Sequence, residues 1–333
     1  MCPFDNRILI EELTVMRPMG KADTHIHTEY SGFSYLGVMK FPESVTTPEQ
    51  QVDRARRNGM DVLGITDHDE TKGAFIGQKY AERFDDIDVI VGEEVTTADG
   101  EVIGLFLTEK IPKGLPVEET IDIIRSQGGL VIAPHPFSFH VFGLKEQIFN
   151  LDIDGFETIN GGHPDRYSNA FAQRVMDAYP GRWAAMSGSD AHSLYTSGFN
   201  WTEFDGNTAE DFRKAILNRT TRAVGVPANV FTQVQWSVDV AWGGSKLLYK
   251  SLKGKLIKRE DDRLAEKIES ISNLKKATGM VAATAYILPP ISILATLLST
   301  TYLSIGAKKM LKQADERMRN IDAIIKEADA KKA

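Results

Sequence analysis

Asp23-Thr24-His25-Ile26-His27 puts three groups able to bind a metal within five residues. Residues two apart on an extended chain share one face. Asp23, His25 and His27 are therefore expected to converge on one point, directly after a short strand at residues 21–22. An isolated His-x-His is as often plain polar surface, so the weight falls on whether similar residues recur at equivalent places. Asp67 and His68 follow the apolar run 61–66, Glu93 and Glu94 follow 88–92, and His135 follows 130–134. Glu157 and Asn160 sit at the end of 155–160, and Asp190 and His192 follow 184–189. Imidazoles and carboxylates around a divalent ion lower the pKa of bound water from about 16 to about 7, giving hydroxide at neutral pH. Two such ions about 3.5–4 Å apart can also offset the charge of a phosphate ester. Phosphoryl transfer asks mainly for positioning and charge stabilisation, which this residue set supplies.

The elements that must hold these residues are legible in the pattern. Residues 61–66, 88–91, 102–107, 130–133, 155–158 and 184–187 read as short strands, apolar enough to be buried on both faces. Thr47-Pro48-Glu49 opens a helix with an N-cap and a first-turn proline, and Asn58-Gly59 closes it. Further helices are expected at 116–127, 165–178 and 208–218. Alternating strands and helices imply a parallel sheet, and about seven units predict a closed or nearly closed β/α barrel. Barrel active sites form at the C-terminal strand ends. Five of the seven histidines fall there, whereas His140 and His163 lie in loops and are expected at the surface.

The chain has 333 residues, a formal net charge of −7 and a single cysteine, Cys2. That charge argues against a partner such as double-stranded nucleic acid, which is bound through a basic face. Without thiolates, any metal must be held by His, Asp and Glu, and a reducing cytoplasm is the expected compartment. Residues 1–20 are too acidic, and their apolar run too brief, for a signal peptide. There is no Walker-type phosphate loop and no G-x-S-x-G elbow.

Taken in order, Asp23-Thr-His25-Ile-His27, Thr66-Asp67-His68, Gly92-Glu-Glu94, His135-Pro136, Glu157-x-x-Asn160 and Gly188-Ser-Asp190-Ala-His192 resemble the PHP (polymerase and histidinol phosphatase) superfamily of metal-dependent phosphoesterases. The resemblance spans about two thirds of the chain. It implies a distorted seven-stranded β/α barrel holding two or three divalent metals, with manganese, zinc and magnesium the candidates. By motif, His25, His27, Glu94 and Asp190 would hold one ion. Glu94 would bridge to a second, bound also by His135, while His68 and His192 would serve a third. Two departures stand out. Residues 30–34 lack the Asp or His that many members place after the second histidine, so two tightly held ions and a weak or absent third are expected, with Glu29 or water as the substitute. Glu101 follows Gly100 where many members have a histidine, which makes Glu101 a candidate ligand.

Asp67 and Asp23 are the expected catalytic carboxylates, Asp67 either as a direct ligand or as the acceptor behind a ligating histidine. Asn160 and Arg166 are the expected substrate contacts. A small phosphorylated molecule or nucleotide is the expected substrate. Exonuclease action on short nucleic acid, amidohydrolase chemistry and a non-catalytic scaffold are the rivals. Amidohydrolase barrels of this type usually add a lysine on a central strand, and no predicted strand between 61 and 187 contains one.

The domains read as 20–228 for the catalytic barrel, 229–276 for a basic and charged helical connector, 277–307 for a hydrophobic hairpin and 308–333 for a charged terminal helix. Residues 277–307 contain no charge and are interrupted by Pro289-Pro290, leaving arms of 12 and 17 residues. These rise about 18 and 25 Å, against the 20 or so residues needed to cross the hydrocarbon core. A re-entrant hairpin on the cytoplasmic face of a membrane fits better than two crossings, with lysines on both flanks. The alternative is a soluble helical hairpin packed on the barrel or in a homo-oligomer.

Overall fold

The computed structural model describes residues 19–36, 39–165, 167–259 and 262–332. The chain opens with β1 (Gly20–Ile26), a hairpin of β2 (Phe33–Leu36) and β3 (Met39–Pro42), then α1 (Pro48–Arg57). Thr47 and Gln50 cap α1 reciprocally, Thr47 Oγ1 accepting from Gln50 N and Gln50 Oε1 from Thr47 N. β4 (Val62–Ile65), α2 (Lys72–Ala81), β5 (Asp88–Thr96), β6 (Glu101–Leu105), α3 (Val117–Ser126), β7 (Leu130–Ala133), β8 (Gly155–Asn160), α4 (Ser168–Ala178) and β9 (Ala184–Gly188) follow. β10 (Trp201–Phe204), α5 (Ala209–Asn218) and β11 (Arg222–Val224) complete the α/β part.

β1, β4, β5, β6, β7, β8 and β9 form a seven-stranded wall in that order, and β10 and β11 extend it antiparallel from the outer edge of β1. Around the wall only β6 is reversed, pairing antiparallel with β5 and β7. The two ends nearly meet: Ile26 bridges Ala191, and His27 N donates to Ala191 O at 3.0 Å. This is the distorted barrel expected, except that one strand runs against the parallel set.

Side-chain alternation divides the wall into a dry base, a polar top and an outer face. Ala22, Val62, Ile90, Ile103, Leu130 and Met186 pack together inside. Leu63, Ile65, Val89, Val91 and Val131 pack outward in a second cluster that takes in residues of α1 to α4. Burying each large apolar side chain contributes about 1.5–3 kcal/mol. Continuing the inward series along β5 from Ile90 through Gly92 brings Glu94 inside, and Glu93 therefore faces out.

After β11 the chain is helical: α6 (Val230–Leu252), α7 (Arg263–Ser270), α8 (Asn273–Ile287) and α9 (Pro289–Lys332). α6 packs closely on the β3 side of the barrel, where a Cβ on Gly243 would lie 2.4 Å from Val45 Cγ2. It also packs along α8. The turn between α8 and α9 falls at Leu288, and α9 then runs 44 residues without a break, so no helix end marks the division drawn at 307/308. The distal half of α9 is fastened to the barrel by Arg317 to Glu146 at 2.5 Å, Arg174 to Asp315 at 2.7 Å and Arg182 to Asp329 at 2.8 Å.

Candidate metal centre

The sheet register decides which carboxylates enter the site. β1 pairs with β4 as Asp23 to Leu63 but Ile26 to Ile65, so β1 holds one extra residue between them. That bulge reverses the alternation. Asp23 is left on the same side as Leu63 and Ile26, and His25 turns inward. Asp23 instead accepts from Ser189 N at 3.0 Å and Gly198 N at 3.1 Å, fully buried, tying down the loop beyond β9. Burial pushes its pKa up to about 6. The expected convergence of Asp23 with His25 and His27, and its expected catalytic role, are corrected by this.

Eight of the predicted ligands do meet. Glu94 Oε2 lies 3.2 Å from His25 Nε2 and 3.3 Å from His27 Nε2. Asp190 Oδ1 lies 3.4 and 3.3 Å from the same two nitrogens. Ligands about 2.0–2.1 Å from a tetrahedral cation stand about 3.3–3.4 Å apart, so these four atoms have the spacing of such a donor set. His27 Nε2 is buried and makes no hydrogen bond despite two oxygens at 3.3 Å, so it is aligned with neither. The other oxygen of Glu94, Oε1, lies 3.0 Å from His135 Nε2, and Glu101 Oε2 lies 3.8 Å from that nitrogen. Glu101 reaches the cluster because β6 is reversed, which sets the start of that strand beside the C-terminal ends of its neighbours. His68 Nδ1 stands 3.2 Å from Glu94 Oε2 and 3.9 Å from Glu101 Oε1. The residues fit a centre for more than one divalent cation. His135 and Asp190 hold positive φ values of 29° and 49°, a region costing about 1–3 kcal/mol for such residues and tolerated where the surroundings impose it.

His192 completes the set beside a residue that sequence reasoning missed. Glu43 Oε1 lies 3.5 Å from His192 Nε2 and 3.8 Å from His68 Nε2. It supplies the carboxylate that residues 30–34 lack. Glu29 does not, being turned towards Arg259 at 3.9 Å. Glu43 stands directly after β3, so the strand-end rule that found the other ligands applies to it too; its strand went unread because it belongs to a small separate hairpin.

A second ring of groups orients these ligands. Glu157 Oε1 holds His25 Nδ1 at 2.9 Å, and its Oε2 accepts from His135 N and Asn160 Nδ2. Ser31 Oγ holds His27 Nδ1 at 3.0 Å and donates to Asp67 Oδ1 at 2.7 Å. Asp67 also accepts from Thr28 N and Oγ1, both at 2.6 Å, and is fully buried. It therefore acts on His27 through Ser31 and is neither a ligand nor a catalytic carboxylate in contact with the cluster. Asn160 is equally enclosed, with Oδ1 taken by Gly162 N and His163 Nδ1, so it supports Glu157 rather than a substrate. His163 is 2% exposed and its ring lies 5.4 Å from that of His135, against the surface expectation, whereas His140 is exposed. Arg166 lies outside the described residues. α6 borders the cluster, with Trp236 edge-on to His192 at 5.9 Å and Gln233 donating to Gly162 O at 3.0 Å.

The charges are strongly coupled. Burial opposes ionisation of Glu94 and Asp190, yet the histidines around them, His25 foremost, hold both well below the usual carboxylate range. Burial likewise works against protonated His25 and His135, but Asp190 and Glu94 raise the first well above its ordinary value and Glu94 raises the second to about 9. Burial, with His192 and His68 beside it, lowers His27 to about 3. Burial and the neighbouring Glu94 push Glu101 up to about 7.

The family described as PHP domain matches residues 23–134, and that described as PHP-associated matches 167–221. The uncharacterized protein MJ1587 of Methanocaldococcus jannaschii is 47% identical over 161 residues, 48% of this chain and 94% of the relative. MJ1588 of the same organism is 35% identical over 113 residues, 34% of this chain and 95% of its own length. Among solved structures, PsfC from Pseudomonas syringae is similar with a TM-score of 0.46 at 18% identity, covering 63% of this chain and 93% of that one. A Bifidobacterium adolescentis protein assigned to the metal-dependent phosphoesterases is similar with a TM-score of 0.43 at 18% identity, covering 63% and 98%. On its seven-stranded wall, its ordered strand-end motifs, the two family matches and the likeness to MJ1587, the chain belongs to the PHP superfamily of metal-dependent hydrolases.

Proposed function

We propose that this protein hydrolyses a phosphate ester of a small molecule or nucleotide in the cytoplasm, using two or three divalent cations drawn from manganese, zinc and magnesium. The observation that carries the reading is the division of Glu94, one oxygen facing His25 and His27 and the other facing His135, as a carboxylate between two cations would be. Cations held there would supply the charge that ionises water and offsets a phosphate's oxygens. His25, His27, Glu94 and Asp190 would hold one and Glu94 with His135 and Glu101 another, with His68, His192 and Glu43 serving a third. Glu157 and Ser31 keep His25 and His27 turned inward. Phosphate esters are favoured over amides because none of β4 to β9 carries a lysine to bridge two metals. The net charge of −7 favours a small substrate over duplex nucleic acid.

The test is metal-loaded full-length protein against panels of phosphomonoesters, phosphodiesters, short oligonucleotides and amides. Hydrolysis of phosphate esters that falls about 100-fold or more in His25→Ala is expected, since even groups behind a ligand are worth 10–100-fold. Cleavage confined to amides, no cleavage with any of the three metals, or full activity in His25→Ala would overturn the reading.

A further inference from the structure

The first half of α9 is inside out. In the first half of α9, Ser292 and Thr296 are buried at 1% and 7% exposure, whereas Leu294, Leu298, Tyr302 and Ile305 stand 59%, 65%, 72% and 65% exposed. The same helix follows the ordinary rule further on, where Ile321 and Ile325 are buried and Lys326 and Asp329 face out. The reversal begins at Lys308-Lys309, so one helix carries both patterns and the distal half serves as the control for the proximal. Contiguous apolar surface of this kind marks an interaction site on a folded protein.

Five hydroxyls on this hairpin are satisfied without water. Thr284, Thr296, Thr300, Thr301 and Ser304 each donate to the carbonyl four residues back, at 2.7–2.9 Å. Such back-bonding is how a hydroxyl sits on a helix in surroundings that offer no partner. Charge is arranged to match: from Ser270 to Ala314 there is no acidic residue in a chain of net charge −7, and the exposed Lys275, Lys308, Lys309 and Lys312 stand at the base of the two arms. Near its base each arm is packed on the rest of the molecule: a Cβ on Gly279 would lie 3.2 Å from Leu248 Cδ1, and one on Gly306 2.4 Å from Phe139 Cε2. Beyond them residues 280–287 rise about 12 Å and 289–305 about 25 Å, less than a bilayer core of about 30 Å.

We propose that residues 277–307 enter the hydrocarbon layer of an anionic lipid bilayer as a re-entrant hairpin. Leu288-Pro289-Pro290 lies deepest, and the four lysines lie at the level of the headgroups. Leu, Ile and Tyr then face acyl chains, and Ser292, Thr296 and Thr300 face the molecule's own helices. Basic residues at both ends of the hairpin keep both on the cytoplasmic side. α6 packs along α8 and rests Trp236 on His192, so one helix touches both the hairpin and the metal cluster.

The experiment is flotation of the full-length protein with sealed vesicles of equimolar phosphatidylglycerol and phosphatidylcholine, at low and high salt. It is repeated with Leu294→Asp/Leu298→Asp, whose two sites are exposed and therefore leave the packing intact. The parent is expected to float at both salt concentrations and the variant at least tenfold less, with unchanged circular dichroism and unchanged metal content. Parent protein that stays below the vesicles overturns the proposal. So does release by salt, which marks surface attraction alone. A parent that does not float but forms a dimer, which the variant splits to a monomer, overturns it in favour of a second copy of the chain. None of these readouts uses hydrolysis, so the proposal can fail while the enzymatic reading stands.

Discussion

Glu43 and Glu93 show how one carboxylate can be recruited to a site while another, adjacent to a ligand, is kept out of it. Glu43 comes from outside the six motifs, and its contacts with His192 and His68 argue that the third position has a carboxylate after all. Dialysed Glu43→Ala protein is expected to lose about one metal equivalent per chain relative to the parent while keeping the others, read by elemental analysis. Equal metal content in the two would remove Glu43 from the ligand set. Glu93 faces away from the cluster, accepts from Ile111 N at 2.8 Å and is fully buried. Burial raises its pKa from 4.5 to about 8. The folded state thus holds a proton that the unfolded chain releases, so this contribution is complete below about pH 4.5 and is lost as the pH rises through 8. Glu93→Gln should flatten the fall in unfolding free energy across that window, measured by denaturant titration at successive pH values. An unchanged slope would show that other groups govern it.

At the scale of the element, close approaches rather than propensities position the ligands. α2 carries two glycines in its ten residues and is not a strong helix by composition. Its start lies against the carboxylate that steadies Ser31: a Cβ on Gly73 would sit 2.1 Å from Asp67 Oδ2 and 2.7 Å from Thr28 Oγ1. Gly73→Ala is expected to destabilise the fold by about 1–3 kcal/mol, the usual cost of overpacking. It should also weaken metal retention, because Asp67 and Ser31 must shift together. Denaturant unfolding and metal analysis of the same preparation check both, and a variant as stable as the parent would show that α2 moves freely. The bulge in β1 acts similarly, since one extra residue sends His25 inward and Asp23 to the loop beyond β9.

Across the whole molecule, α9 joins the hairpin to the barrel. Arg317 bonds Glu146 and the hydroxyl of Tyr167, and its guanidinium lies 4.7 Å from the ring centre of Phe171. Hydrogen bonds to charged groups contribute about 1.5–3 kcal/mol, so Arg317→Ala should loosen the distal half of α9 by an amount in that range. Hydrogen exchange is expected to show faster opening of residues 308–330 with β1 and β4 unchanged. Uniform protection across both would mean that Ile321 and Ile325 hold the helix without the ion pair.

By itself the sequence determined the barrel, the order of its strands and seven residues of the donor cluster, because each of these ligands follows or ends an apolar strand and all such ends share one face. It also marked the charge-free hairpin. What it left open was set by contacts between elements far apart in the chain. The bulge that displaces Asp23 appears only when β1 is paired with β4. The position of Glu101 depends on the reversed direction of β6, and that of Glu43 on where a separate hairpin folds back. Asp67 and Asn160 carry the residue types of catalytic groups. Only the closed structure shows their oxygens filled by Thr28, Ser31, Gly162 and His163, and a hydrogen bond already made cannot be read from residue type or spacing.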